Sequence, residues 1–282
     1  MPYAGSEYGK LKKVLLCRPE YLSIKNPLNV IAKAHSQGGA DIDIQKACRE
    51  HDEFAAAFSS YGTEVLLAET NPRCPYGINT RDLGVTTEKG IIFGRFLKPM
   101  RWGEERLAEN TLQANKVPIF YKMDRGIFEG GDFMYLDNKT AAVGRGIRTD
   151  EVGFRSLQLA LYDVDLELMP VDFHEDYLHL DMICNVVGER VAVVCPEALP
   201  QDFLRLLKGK GFRLIDVTRE EVFQHACNLL SIGHDTILSH PQAKRVNTML
   251  KALGFKVEVI DLREVLKSGG GPRCMSFPID RE

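Results

Sequence analysis

The sequence has no apolar run of the roughly 20 residues that a membrane-spanning helix needs. Its first residues lack the apolar stretch of a secretory signal peptide. Basic runs and low-complexity tracts are also missing, and the formal net charge is only −3. Neither a nucleic acid nor a membrane is therefore expected as a partner, and we expect a cytoplasmic protein.

Seven cysteines are scattered through the chain, and no two of them have the C-x-x-C spacing. An odd number without that spacing argues against a disulfide framework and against a zinc ribbon. The composition, with 44% hydrophobic and 27% charged residues, is that of an ordinary globular protein. Six of the thiols are therefore interpreted as buried side chains, and one, Cys274, as a candidate for chemistry.

Four segments share one pattern, in which a short apolar strand, a polar turn and a second apolar strand predict a β-hairpin. A helix and a third strand are predicted after each hairpin, with clear helical spacing at 149–161 and 198–207. The segments begin at near-equal intervals of roughly 50 residues, which indicates an internal repeat. Their first residues are Asp82, Asp132, Asp181 and Asn228.

The two ends of the chain complete this repeat. KKVLLCRP, near the N-terminus, has the form of a second strand without a first, and CMSFPI has the form of a first strand that opens at Cys274. Pairing of the two would make a fifth hairpin, and the helix at 42–61 with the strand TEVLLAE would complete its unit. The sequence thus predicts one α/β domain over residues 1–282, a fivefold pseudosymmetric propeller of ββαβ units closed by its terminal strands. The alternative is a plain α/β protein with evenly spaced strands.

In a closed ring, the first strands of all units would start at the same central place. Most residues at these starts are charged or reactive, whereas Cys227-Asn228 offers no charge. The set comprises Arg81, Asp82, Glu129, Asp132, His179, Asp181 and Cys274. Each is weakly informative alone, because a loop carboxylate, a histidine or a cysteine usually has a structural role. One geometric rule selects them all, which favours an active site.

A cysteine beside a histidine suits nucleophilic catalysis with an acid/base partner. Carboxylates around a thiolate would repel it unless the substrate itself carries positive charge. A guanidinium does so, and its paired N–H groups match the two oxygens of a carboxylate such as Asp82 or Glu129. The bound cation would also favour the thiolate form of Cys274.

The motifs TRD (80–82), EGGD (129–132), HLD (179–181) and GGGPRCMSFPI (269–279) occur in the order found in a known superfamily. The chain resembles the guanidino-group-modifying enzymes over most of its length. These are the arginine deiminases, dimethylarginine dimethylaminohydrolases and amidinotransferases, and their fold is the fivefold α/β propeller, also called pentein. The glycine-rich motif before the nucleophile is the most specific of the four.

The resemblance implies a role for each matching residue. Cys274 would be the nucleophile and His179 the acid/base, with Glu129 and Asp181 as further catalytic carboxylates. The implied substrate-binding residues are Asp82, Asp132, Arg81, Arg101 and Arg148, of which the last two would grip an α-carboxylate. For Arg101 and Arg148 an ordinary salt-bridge role is the alternative. No metal or other cofactor is implied, because the nucleophile is a thiolate.

The implied reaction has two halves. Cys274 attacks the guanidino carbon, His179 protonates the departing amine, and water then releases a ureido product from the thiouronium adduct. An amidinotransferase, in which an amine replaces water, is the first alternative. The second is a non-catalytic propeller that binds a partner, since fold does not dictate function.

Some features bear on the substrate and the assembly. The chain lacks room for the helical insertion of arginine deiminases, and its length matches the dimethylarginine hydrolases, whereas HLD is the form of deiminases and transferases. The reaction type is therefore better defined than the small-molecule guanidino substrate. Residues 20–39 are rich in loop signals and form either a lid or a plain surface loop. A homo-oligomer is possible.

Overall fold

The computed structural model describes residues 3–282 and contains five three-stranded sheets. The strands are β1 Leu11–Cys17, β2 Glu64–Ala68, β3 Gly84–Thr87, β4 Gly90–Phe93, β5 Ile119–Lys122, β6 Phe133–Asp137, β7 Thr140–Arg145, β8 Glu167–Asp172, β9 Cys184–Gly188, β10 Val191–Val194, β11 Arg213–Asp216, β12 Leu230–Gly233, β13 Thr236–Ser239, β14 Lys256–Val259 and β15 Phe277–Arg281. The helices are α1 Val30–Gln37, α2 Ile44–Ser60, α3 Glu104–Ala114, α4 Glu151–Ala160, α5 Gln201–Gly209, α6 Arg219–Phe223 and α7 Lys244–Ala252.

Every sheet has the same topology, with the first two strands antiparallel and the third parallel to the second. The four predicted hairpins β3–β4, β6–β7, β9–β10 and β12–β13 are all present. The two ends of the chain pair as predicted, because β15 runs antiparallel to β1 with Val14 opposite Pro278 and Leu15 opposite Phe277. In that sheet β2 adds in parallel to β1, so the fifth ββαβ unit is assembled from both ends of the chain.

The helices form where apolar periodicity and a capping residue coincide. Asp43 caps α2 by accepting a hydrogen bond from the Lys46 amide, and Phe54 and Phe58 are fully buried on one face. This confirms the helix predicted at 42–61. The helix predicted at 198–207 instead begins at Gln201, because Pro200 restricts the residue before it to extended conformations.

The prediction that each first strand starts at its polar residue was wrong in detail. The residues 80–83, 130–132 and 180–182 each form a short 3-10 turn, and the strand follows the turn. Cys274 likewise lies three residues ahead of β15. Hydrogen bonds fix these turns, as when the Thr80 hydroxyl donates to the carbonyl oxygens of Leu15 and Met275. The reactive side chains are therefore held on turns at the ends of the sheets.

The first strands of different sheets lie next to one another and are joined by side-chain hydrogen bonds. Thr86 of β3 donates to the Pro278 carbonyl of β15, and the Tyr135 hydroxyl of β6 donates to the Thr86 carbonyl. Asn185 of β9 donates to the Leu229 carbonyl just before β12. Buried apolar side chains fill the space between sheets and helices. Among residues 3–282, no helix has both the length and the apolar character needed to cross a membrane.

Candidate active site

A small cavity lies where the turns before the first strands meet. Its lining brings together Asp82, His179, Asp181 and Cys274, which come from three different units of the repeat. All four side chains are buried. The convergence that the repeat predicted is therefore present for these four residues.

The thiol of Cys274 is held in a fixed orientation by Asn228. The amide nitrogen Nδ2 of Asn228 lies 2.7 Å from Sγ, and its Oδ1 accepts hydrogen bonds from the backbone N–H groups of Arg273 and Cys274. Since both N–H groups are donors, they place the amide oxygen on their side and direct the NH₂ donor at the sulfur. Burial, and then the negative charges of Asp181 and Asp82, raise the pKa of the Cys274 thiol well above its usual range, and the Asn228 hydrogen bond opposes this rise.

His179 lies between two carboxylates. Its Nε2 is 2.9 Å from Glu129 Oε2, and its Nδ1 is 3.7 Å from Asp82 Oδ1. Burial would lower the pKa of His179, but Asp82 and the Glu129 hydrogen bond raise it to about 9. Burial would raise the pKa of Glu129, but the hydrogen bond and charge of His179 lower it to about 2. The pair is therefore an imidazolium and a carboxylate at neutral pH, and His179 holds a proton that it can give up.

Arg101 binds three carboxylates, and its Nη2 also donates to the Asn79 carbonyl. Its Nη2 is 2.7 Å from Glu104 Oε2, and its Nε is 3.1 Å from both Glu104 oxygens. The opposite edge, Nη1, donates to Asp82 Oδ2 and lies 3.8 Å from Glu129 Oε2. The guanidinium of Arg101 thus occupies one oxygen of the carboxylate that was predicted to hold the guanidinium of a substrate.

Arg148 joins the site to the segment that precedes α1. Its Nη1 is 3.1 Å from both oxygens of Glu129, and its Nη2 donates to the Leu28 carbonyl at 3.1 Å. Asn29 caps α1 and also donates to the Ser268 carbonyl at 2.8 Å. Because Leu28 and Asn29 line the cavity, part of the segment 20–39 covers the site.

Two predicted substrate-binding residues point elsewhere. Asp132 does not line the cavity, and its two oxygens accept hydrogen bonds from the Thr149 hydroxyl at 2.6 Å and from the Leu180 amide at 2.9 Å. It therefore ties neighbouring turns together. Arg81 lines a different cavity with Glu7, because adjacent residues of the 80–83 turn project to different sides of it. Direct substrate contact by either residue, as expected from the motifs, does not fit this arrangement.

Asp181 is the carboxylate with the fewest partners. It is fully buried, and its nearest charged group is Arg273, whose Nε lies 3.4 Å from Oδ2. Within residues 3–282 neither of its oxygens has a hydrogen-bond partner that meets normal geometry. Burial raises its pKa, which Arg273 opposes. A carboxylate beside the thiol with unused acceptor capacity suits a cationic ligand.

Glycines allow the turns to approach one another. A Cβ on Gly130 would lie 2.0 Å from the Gly84 carbonyl oxygen, and one on Gly131 would lie 2.8 Å from the His179 ring. A Cβ on Gly270 would lie 2.2 Å from Asn79 Oδ1. These contacts explain in physical terms why glycines follow Glu129 and precede Cys274.

One group of side chains has the spacing of metal ligands. Asp82, Glu129 and His179 offer one donor atom each, and these atoms lie within 4.8 Å of one another. The raised pKa of His179 opposes metal binding, because a ligating imidazole must be neutral. The sequence-based expectation that no metal takes part stays a prediction.

Sequence reasoning missed two residues that contact this set. Asn228 stands at the repeat position that carries no charge, so the repeat itself marked it, although the search for charged groups passed over it. Glu104 lies three residues after Arg101 in MRWGEE, and an acidic residue at that spacing is a signal for a partner.

A comparison with models of known protein families shows which family the chain belongs to. The family model described as "N,N dimethylarginine dimethylhydrolase, eukaryotic" matches residues 18–281. The chain belongs to this family. The resemblance to guanidino-group-modifying enzymes of the pentein fold is thereby confirmed.

Individual relatives agree with this assignment. The chain is 33% identical to the uncharacterized protein YkgA of Bacillus subtilis (strain 168) over 276 residues, which cover 98% of this chain and 94% of that protein. The N-terminal domain of ArgZ, solved covalently bound to a reaction intermediate, is 20% identical with a TM-score of 0.83, covering 95% of this chain and 98% of that one. Dimethylarginine dimethylaminohydrolase from Pseudomonas aeruginosa, solved with citrulline, is 21% identical with a TM-score of 0.80, covering 95% and 99%. At these identities the two structures show that the fold is shared.

Proposed function

We propose that this protein is a hydrolase that cleaves the guanidino C–N bond of L-arginine or of a methylated or related arginine. The products are a citrulline-type ureido compound and ammonia or an amine. The observation that carries the proposal is the placement of His179 and the thiol of Cys274 on one cavity with the carboxylates of Asp82 and Asp181. Family membership and the covalent intermediate in the related ArgZ structure support it.

The electrostatics of the cavity suit a cationic substrate. Two carboxylates face a thiol whose pKa is raised by burial and by their charge, so the thiolate is disfavoured in the free protein. A guanidinium between Asp82 and Asp181 would offset that charge and favour the thiolate at the moment of binding. Binding of the substrate thus also activates the nucleophile.

The first half of the reaction uses the proton on His179. The Cys274 thiol loses its proton to solvent as the guanidinium binds. The thiolate then attacks the guanidino carbon, and its electron pair forms the new S–C bond while the C=N π pair moves onto nitrogen. The C–N bond to the departing nitrogen then breaks while the His179 imidazolium donates its proton to that nitrogen. Glu129, hydrogen-bonded to Nε2, keeps the ring in place and stabilises its charged form. A covalent thiouronium adduct remains.

The second half uses the neutral imidazole. His179 accepts a proton from water, whose hydroxyl adds to the same carbon. The S–C bond then breaks to release the Cys274 thiolate, and the hydroxyl proton passes to the released ammonia or amine as the ureido carbonyl forms. Asn228 donates to the departing sulfur, whose negative charge shortens and strengthens such a bond.

A substrate tail with a carboxylate has two possible donors. Glu104 binds Nε and Nη2 of Arg101, whose Nη1 lies on Asp82. Glu129 binds Nη1 of Arg148, whose Nη2 lies on the Leu28 carbonyl. A substrate guanidinium would take over Asp82, and the freed Nη1 would turn to the substrate carboxylate. Binding of the substrate carboxylate by Arg101 and Arg148 is therefore proposed to require that each arginine first gives up a hydrogen-bond partner within the protein.

The architecture around this site is also proposed. The hydrogen bonds between neighbouring first strands and the pairing of the terminal strands support a closed fivefold propeller, with residues 1–282 as one catalytic domain. Cytoplasmic location, a possible homo-oligomer and the absence of nucleic-acid or membrane partners stay predictions.

The test is product analysis with a panel of guanidines. The protein is incubated separately with L-arginine, dimethylarginine and agmatine, and the ureido product is sought by mass spectrometry. Cys274→Ser should abolish product, whereas Cys74→Ser, which changes a thiol outside the cavity, should retain it. Product only in the presence of an amine acceptor would replace the hydrolase by an amidinotransferase. Equal turnover in Cys274→Ser would refute the proposed nucleophile.

A further inference from the structure

A second cavity lies on a different side of the 80–83 turn from the catalytic cavity. It is lined by parts of β3, β6 and β15 and by the N-terminal segment that contains Ser6 and Glu7, and it shares no lining residue with the catalytic cavity. Arg81 reaches into it. The space is narrow, and Thr86 and Tyr135 are among the residues that line it.

The surroundings of this cavity hold more positive than negative charge. Arg81, Arg273 and Arg281 are 7%, 1% and 1% exposed. Glu7 is the carboxylate that they share, at 2.7 Å from Arg273 Nη1 and 4.0 Å from Arg81 Nη1. Asp181 contacts Arg273 from the catalytic side. Arg281 donates to the carbonyl oxygens of Gly9 and Ser231 and has no acid at salt-bridge distance within residues 3–282.

In the part of the chain that the structure describes, Arg81 is the residue lining this cavity whose hydrogen-bond donors are unmet, whereas Arg273 and Arg281, which each have an unpartnered Nε, do not line it. Within the described residues its Nε and Nη2 are buried and have no hydrogen-bond partner. The other polar side chains of the cavity are satisfied: the Tyr135 and Thr86 hydroxyls donate to carbonyls, and Glu7 accepts from Arg273 and from the Tyr135 amide. The unmet capacity is thus made up of N–H donors on a cation.

A buried cation with unmet hydrogen-bond donors is costly, and the lowered arginine pKa values reflect this cost. Burial, together with the charge of Arg273, lowers the pKa of Arg81 to about 10. Burial also lowers the pKa of Arg281 to about 9, although Glu7 opposes the shift. Only an anion would supply both the missing acceptor and the missing negative charge, since a water molecule supplies the acceptor alone.

We propose that this second cavity is a binding site for a small monatomic anion of the halide class, held by Nε and Nη2 of Arg81. The anion acts as a buried counter-ion that offsets the charge of Arg81, Arg273 and Arg281. The site is independent of the proposed hydrolysis, and none of its tests uses turnover.

The first test is the position of bromide in crystals of the whole protein grown in sodium bromide. Anomalous scattering should show a peak within hydrogen-bond distance of Arg81 Nε and Nη2, inside the second cavity. A cavity without an anomalous peak, filled by water alone, would overturn the proposal.

The second test is thermal stability in chloride and in gluconate at constant ionic strength. Occupation at ten times the dissociation constant should raise the melting temperature by about 2–3 °C for a chain of this size, and the rise should saturate. Arg81→Met should lose this chloride-specific rise, whereas Arg145→Met, which removes an arginine paired at the surface, should keep it. If Arg81→Met fails to fold, the wild-type series decides alone: an equal melting temperature in both salts would contradict an anion site.

Discussion

The Asn228 side chain gives the sharpest quantitative prediction about the nucleophile. Its Nδ2 donates to Cys274 Sγ at 2.7 Å, while its Oδ1 holds two backbone N–H groups. A hydrogen bond to a charged group contributes about 1.5–3 kcal/mol, which corresponds to roughly 1–2 pKa units. Asn228→Asp keeps the acceptor and replaces the donor by a carboxylate, so it should raise the thiol pKa and slow alkylation at a fixed pH by about 10–100-fold or more.

The assay is the rate of iodoacetamide alkylation of Cys274, resolved by peptide mass spectrometry over a range of pH. Asn228→Ala removes donor and acceptor together, so its comparison with Asn228→Asp separates the effect on the thiol from the effect on the backbone. Asn247→Asp is the matched control, because Asn247 is a buried amide that bonds to Ser239 and His240, outside the cavity. An unchanged alkylation profile in Asn228→Asp would refute the claim that this amide stabilises the thiolate.

Three further perturbations test the site and its cover. The pKa of His179 is raised from 6.5 to about 9, so the stability from its pairing with Glu129 is complete below about pH 6.5 and is lost as the pH rises through 9. In Glu129→Gln, an NMR titration should give a lower pKa for His179. The unfolding free energy of this variant should also fall less between pH 6.5 and 9 than that of the parent. An unchanged histidine titration would count against the pairing. Asn29→Ala removes a helix cap and the tether to residue 268, so trypsin should cut at 25 or 33 faster than in the parent; an equal rate would argue against a closed cover. Gly130→Ala places a Cβ 2.0 Å from the Gly84 carbonyl and should lower the melting temperature strongly, and a parent-like value would show that the turns can separate freely.

The repeat made the fold predictable. Hairpins with near-equal spacing are a pattern in the sequence itself, and the two orphan strands, KKVLLCRP and CMSFPI, could be paired only with each other. Exact strand starts were not predictable, because the turns before them depend on hydrogen bonds between distant segments, such as Thr80 to Leu15 and Met275. The convergence of His179 and Cys274 followed from the repeat geometry.

The direction in which individual side chains point could not be predicted from the sequence. Arg81 and Asp82 are adjacent, yet they face different cavities, because a 3-10 turn projects successive side chains to different sides. Asp132 was indistinguishable from Asp82 by motif position, and only its hydrogen bonds to Thr149 and Leu180 show that it ties the turns together.

The central claim is that Cys274 forms a covalent bond with the guanidino carbon of the substrate. The direct measurement is acid quenching during turnover of each guanidine, followed by peptide mapping of the whole protein by mass spectrometry. We expect an amidino-type mass increase on the peptide that contains Cys274, and its absence in Cys274→Ser. Ureido product formed without any adduct on Cys274, at a rate unaffected by Cys274→Ser, would contradict it.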